Sequence, residues 1–109
     1  MAALNVFKTV THNVTTSNET IYTAPAGYTA IVLMAQIANV SATTATVTFS
    51  SYNGTTQTEL LKDFEVPGND AVSGTTGKLI LETGSSVRIQ AGANDQLKLT
   101  LSILESANE

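Results

Sequence analysis

The residues able to do chemistry are few and scattered. His12 stands in the polar stretch VTHNVTT with no ligand or nucleophile near it in sequence, so a metal site or a Ser-His pair would need partners assembled from distant strands. It reads as a surface or loop histidine. Asp63 and Glu65, two apart in LKDFEV, would share a strand face and match the residue types of a glycosidase acid pair. Such enzymes set the pair across a groove lined with aromatics, and this chain has no Trp, three Tyr and three Phe. A solvated strand face explains the two carboxylates. Asn69 and Asp70 lie in PGNDAVSG, an oxygen-rich stretch able to cradle calcium but without the several spaced acidic ligands of a dedicated loop. A turn built from Pro, Gly and Asn explains it with no ion. The expectation is a protein that is not an enzyme and has no cofactor and no metal.

Composition removes further classes. The absence of cysteine excludes a disulfide framework, thiolate zinc and a thiol nucleophile. Five Lys and Arg in a chain of net charge -4 cannot supply the clustered cations of a phosphate-binding surface, so no nucleic acid partner is expected. The stretch MAALNVFKTV lacks the charged leader and apolar run of a signal peptide, and no segment approaches a membrane span. The expectation is a soluble, unexported chain with no membrane partner. The glycine-bearing stretches SSYNGTTQ, VSGTTGK and LETGSSV miss the phosphate-loop spacings and read as turns. Asn-x-Ser/Thr triplets at Asn13, Asn18, Asn39 and Asn53 follow from the Thr and Asn content. Tyr22, Tyr28 and Tyr52 could stack on sugars, but each fits better as a strand-end ring buried with its hydroxyl at the edge.

The elements that would position these residues are strands. Alternation with period two recurs between Gly, Pro, Asn and Asp punctuation. It predicts about eight strands, at residues 4–10, 20–23, 28–39, 45–52, 59–66, 78–82, 86–91 and 96–104. With no helix to cover a sheet, the 109 residues are expected to form a single all-β domain, two packed antiparallel sheets or a closed barrel, with the antiparallel β-sandwich of jelly-roll type favoured and flexible ends at 1–3 and 105–109. Turns are expected at residues 24–27 and 66–69, and a tight hairpin at Asn53-Gly54.

The strand at 28–39 is apolar on both faces. Ile31, Leu33, Ala35 and Ile37 are expected toward the opposite sheet. Val32, Met34, Gln36 and Ala38 then need cover from the N-terminal strand, a loop or another subunit. Charged residues are only 13% of the chain, about half the usual share, which suits a protein packed among others and equally a plain β-sheet protein, since Thr is a good strand former.

The combination IYTAPAGYTAIVLMAQIANV, then VPGNDA, then GKLILETGSSVRIQAGANDQLKLTLSILE resembles small virion structural proteins of tailed bacteriophages, especially those of marine bacteria and cyanobacteria. The likeness covers residues 20–105. It rests on a Thr-Ala-Pro-Ala-Gly turn leading into a long apolar strand and on a Leu-Glu-Thr-Gly turn, where Ser85 replaces the family's acidic residue. It implies a sandwich that assembles on a virion, built in the host cytoplasm, and carries over no catalytic residue. A capsid decoration, or cement, protein that clamps major capsid subunits is the first role implied. A neck, tail or fibre-associated protein and a carbohydrate-binding adhesion module are the alternatives. The resemblance favours a homo-oligomer, a trimer; the two-faced strand offers Val32 and Met34 as its candidate contacts, joined by Phe7 if the N-terminal strand crosses to a neighbour.

Overall fold

The computed structural model describes residues 5–108, all strand, turn or irregular chain with no helix. Among the described residues nine strands form: β1 Asn5–Asn13, β2 Glu19–Thr23, β3 Tyr28–Asn39, β4 Ala45–Tyr52, β5 Gln57–Val66, β6 Ala71–Ser73, β7 Leu79–Leu81, β8 Ser86–Ala91 and β9 Leu97–Ala107. They make two antiparallel sheets. The first runs β1-β9-β3-β6, with β7 also paired to β3, and the second runs β2-β8-β4-β5. β6 and β7 occupy successive stretches of the same edge of β3. β6 falls inside a stretch expected to be turn. Residue 4, the expected start of β1, and the end at 1–3 lie outside the described residues.

Alternation builds the core as expected in most strands. Leu97, Leu99, Leu101 and Ile103 of β9 face Val47 and Phe49 of β4 and Val87 and Ile89 of β8, all fully buried or nearly so. Each such side chain contributes about 1.5–3 kcal/mol of transfer free energy, and together they fix the register. In β3 the alternation breaks. A β-bulge between Val32 and Met34 inserts Leu33 as an extra residue, so the buried positions run Ala30, Val32, then Ala35, Ile37 and Asn39. One added residue reverses the parity of everything before it. Val32 is therefore fully buried in the chain's own core while Leu33 is 37% exposed. The expected inward placement of Ile31 and Leu33 and the expected outward placement of Val32 are corrected: Ile31, half-buried, lies on the outward side of the sheet.

The C-terminal expectation also changes. β9 continues to Ala107, and Glu105 is 3% exposed, so a flexible end does not begin at 105. β9 is held along its length by β3 on one side and β1 on the other.

Turn chemistry settles one residue later than expected at two places. Tyr28 donates its amide to Pro25, which puts Gly27 at the third turn position with φ +84°. Asp70 donates to Pro67, and Asn69 rather than Gly68 takes the positive φ. Gly68 is needed for another reason: a Cβ there would sit 2.4 Å from the Ala42 carbonyl oxygen. At the β4–β5 turn only Gly54 has positive φ, and the Asn53 carboxamide accepts from the amides of Thr55 and Thr56. The loop is thus longer than a two-residue hairpin turn.

Candidate functional site

The residues with chemical potential are not brought together. Among the described residues no group of three or more His, Cys, Asp or Glu could hold a metal ion. No helix is long and apolar enough to cross a membrane. Asp63 and Glu65 are both exposed on β5. Asp63 has φ +47° and is held to Thr48, whose hydroxyl accepts from the Asp63 amide at 3.1 Å. Asp70 accepts from the neighbouring Ala71 amide at 2.8 Å, which makes its carboxylate part of the turn.

His12 does have a partner. Its Nε2 lies 2.9 Å from Glu19 Oε1, and the Thr15 hydroxyl donates to the same oxygen. A carboxylate only accepts, so the ring proton sits on Nε2. These bonds hold the Glu19 carboxyl below its ordinary value, the His12 bond first and the Thr15 bond next. A second polar group lies farther along the same seam. Tyr22 of β2 donates its hydroxyl to Glu105 of β9, and Lys8 of β1 places Nζ 3.3 Å from the same carboxylate oxygen. Lys8 and His12 pair with Ile103 and Leu99 in the register of β1 and β9, and so share the inward face. The β1–β2 side of the sandwich is thus closed by polar bridges where the apolar core ends. These bridges are structural. Sequence reasoning missed Glu105 because the tail ESANE offers no apolar alternation to extend β9.

The two turns that carried the family resemblance touch one another. Ala24 donates to Ser85 at 2.9 Å, Gly84 donates to Ala24 at 3.0 Å, and the Thr83 hydroxyl donates to the Tyr28 carbonyl. Their co-occurrence is therefore one packed corner of the sandwich. Ser85, in the place of the acidic residue, contributes backbone groups to this corner.

What remains is a surface. On the outward side of the first sheet, Phe7 of β1 lies opposite Leu104 of β9, Leu104 opposite Ile31 of β3, and Ile31 opposite Ile80 of β7. One apolar row therefore crosses the whole sheet perpendicular to its strands. Phe7 is 75% and Ile80 64% exposed, with Leu104 and Ile31 half-buried between them. Met34 (38% exposed) and Leu33 adjoin the row, Met34 opposite Ser102. The face of β3 that lacked cover in the sequence receives none from the N-terminal strand, which lies in the same sheet beside β9. Phe7 and Met34 belong to this face, and Val32 does not.

The opposite sheet differs. Its outward side carries Glu59, Arg88 and Ser50 in one row, Thr48 with Gln90, and Thr46 with Glu65. Arg88 stacks over the Tyr52 ring, 3.6 Å from its centre.

No protein-family model matches the chain, and no curated protein does. Solved structures do share its fold. A chain of the acidic stable capsid structure of Helicobacter pylori bacteriophage KHP30 superposes with TM-score 0.59 and 12% identity, over 100% of this chain and 92% of that one. A chain of the disulfide-linked pili that form Bacillus endospore appendages gives 0.57 and 15%, over 95% and 88%. A chain of the T13 IBDV viral particle gives 0.58 and 10%, over 94% of this chain but 31% of that one. At such identities the shared property is the fold, an antiparallel β-sandwich.

Proposed function

We propose that this chain is a structural protein of a phage virion, most specifically a capsid decoration protein that clamps major capsid subunits and stabilises the shell. The observation that carries the reading is the apolar row on an otherwise polar sheet face, in a fold that matches nearly the whole length of a phage capsid chain. A surface of this kind suits a protein that works by being held between others.

The strand order supports a jelly-roll description. With β6 and β7 taken as one interrupted strand, the first, ninth, third and sixth-seventh strands face the second, eighth, fourth and fifth, the connectivity of two Greek keys wound together. The match to a chain barely longer than this one favours a small accessory subunit over a piece of the shell-forming protein. A chain without cysteine cannot enter disulfide-linked assembly, which removes the covalent part of the pilus parallel.

Physically, packaged DNA presses outward on the shell. A clamp that binds only the assembled lattice stabilises that state by mass action. The role is non-enzymatic, located on the virion, and needs a homo-oligomer or a capsid neighbour to cover the apolar row. The test is to heat particles that carry the protein and particles stripped of it. Earlier DNA release from the stripped particles is expected; identical release temperatures would refute the clamp and move the reading to a neck, tail, fibre or glycan-adhesion role.

A further inference from the structure

We infer that the outward face of the first sheet is where two copies of this chain meet, face to face about a two-fold axis. The inference deepens the virion reading by naming the partner, and its test is read out separately from that reading.

Charge argues for it first. In the paired rows of this face, among the described residues, the one charged side chain is Lys98, and Asn13 accepts from its Nζ at 2.8 Å. The outward side of the second sheet carries Glu59, Glu65 and Arg88 instead, charges that a self-contact there would have to strip of water. The apolar row meets its own copy with no like-charge penalty.

Area is the second argument. A strand residue occupies about 3.3 Å by 4.8 Å of sheet, so the five strands of this face present roughly 600 Å². Two copies would bury about 1,200 Å², the lower bound of a stable interface and above ordinary packing contacts. A row that spans the sheet from one edge to the other also brings Phe7, Leu104, Ile31 and Ile80 onto the partner's row when two sheets stack.

Symmetry is the third. A closed trimer needs two different complementary patches on each copy, whereas a two-fold contact needs one patch that complements itself. On the second sheet the exposed large apolar side chains, Leu60 and Phe64, stand on the edge strand β5 between Glu59, Lys62, Asp63 and Glu65 and form no row across the strands. Edge pairing is discouraged as well: β1, the long edge of the first sheet, points Lys8 inward to Glu105, and β5, the long edge of the second, is interrupted by two register shifts against β4. The trimer favoured by the resemblance gives way to a pair.

Sedimentation equilibrium of the full-length chain tests this, with Phe7→Glu, Ile80→Glu and, on the second sheet, Glu65→Lys. Phe7 and Ile80 are exposed enough for their variants to fold, which circular dichroism and urea midpoints confirm independently. The expected result is a wild type of twice 11.4 kDa. Phe7→Glu and Ile80→Glu should each weaken the pair by about thirtyfold or more, a hot-spot loss, and Glu65→Lys should leave it intact. A wild type that is monomeric at high concentration, a trimer, or a dimer indifferent to Phe7→Glu overturns the inference. Rebinding of the chain to stripped particles is measured alongside: a monomer that rebinds sinks the pair and keeps the virion reading, and a dimer that does not rebind does the reverse.

Discussion

Tyr22 on β2 donates its hydroxyl across the sandwich to Glu105 on β9, and so ties one sheet to the other through a carboxylate that is 3% exposed. A buried carboxylate is costly unless it is bonded and paired. Here Tyr22 supplies the bond and Lys8 the charge, at the rim where Lys8 keeps half of its side chain in water. Burial, the bond to Glu105 and that residue's charge all push the Tyr22 phenol well above its ordinary value.

Removing the hydroxyl alone isolates this tie. Tyr22→Phe keeps the ring in the core and should cost about 1.5–3 kcal/mol, the range for a hydrogen bond to a charged group. Urea denaturation checks it, and an unchanged midpoint would show that the bond contributes nothing. Lys8→Ala should also lower the midpoint, because it leaves the buried Glu105 carboxylate without its counter-charge.

Acid should loosen the other polar bridge on the same seam. The His12 and Thr15 bonds hold the folded Glu19 carboxyl below its unfolded value near 4.5. A depressed carboxyl stabilises the fold above the unfolded value, and that contribution disappears as pH falls through the folded one. The stability lost between about pH 6 and about pH 3 should therefore be smaller in Glu19→Gln than in wild type. Equal losses in urea midpoint across that range would contradict this. Glu59, lowered first by its bond from Gln57, should add a parallel dependence that Glu19→Gln leaves in place.

Two glycines separate close approach from open space. A Cβ on Gly68 would press on the backbone of Ala42, whereas one on Gly77 meets nothing within 4 Å. Gly68→Ala should destabilise by about 1–3 kcal/mol, as overpacking does. Gly77→Ala should be neutral or stabilising by about 0.4–1 kcal/mol, because it restricts the unfolded chain. Thermal melts of the two variants decide the matter, and a reversed order would mean that the 67–70 turn moves freely away from Ala42.

The bulge in β3 makes a matched pair of aspartate variants informative. Val32→Asp buries an unpaired charge in the core and should unfold a domain of ordinary marginal stability. Met34→Asp stands on the exposed face, so it should leave the fold standing and weaken assembly instead. Circular dichroism together with sedimentation separates the two. If Met34→Asp unfolds and Val32→Asp does not, the register of β3 is wrong.

Those two residues also mark what could be read from the chain. Turn residues and period-two stretches made the bounds of β3, β4 and β8 legible to the residue, and placed Ile37, Phe49, Ile89 and the four apolar residues of β9 in the core. A bulge leaves no trace in composition, so Ile31 and Leu33, expected inside, lie on the outward side while Val32 lies in the core. β6 was hidden in a turn-like stretch because three residues give no periodicity. The apolar row was half legible: Phe7 and Met34 pointed to it, but Leu104 and Ile80 joined it only through pairings between strands far apart in sequence. Glu105 was illegible for the same reason, since its partners Tyr22 and Lys8 come from distant strands.

The central claim is that this sandwich works in a virion through the outward face of its first sheet. An electron cryo-microscopy map of the purified particle tests it most directly. The sandwich is expected on the capsid exterior, with Phe7, Ile31, Ile80 and Leu104 buried against a second copy. A particle without this chain, or one in which that row faces solvent while the Glu59 and Glu65 face makes the contact, would contradict it.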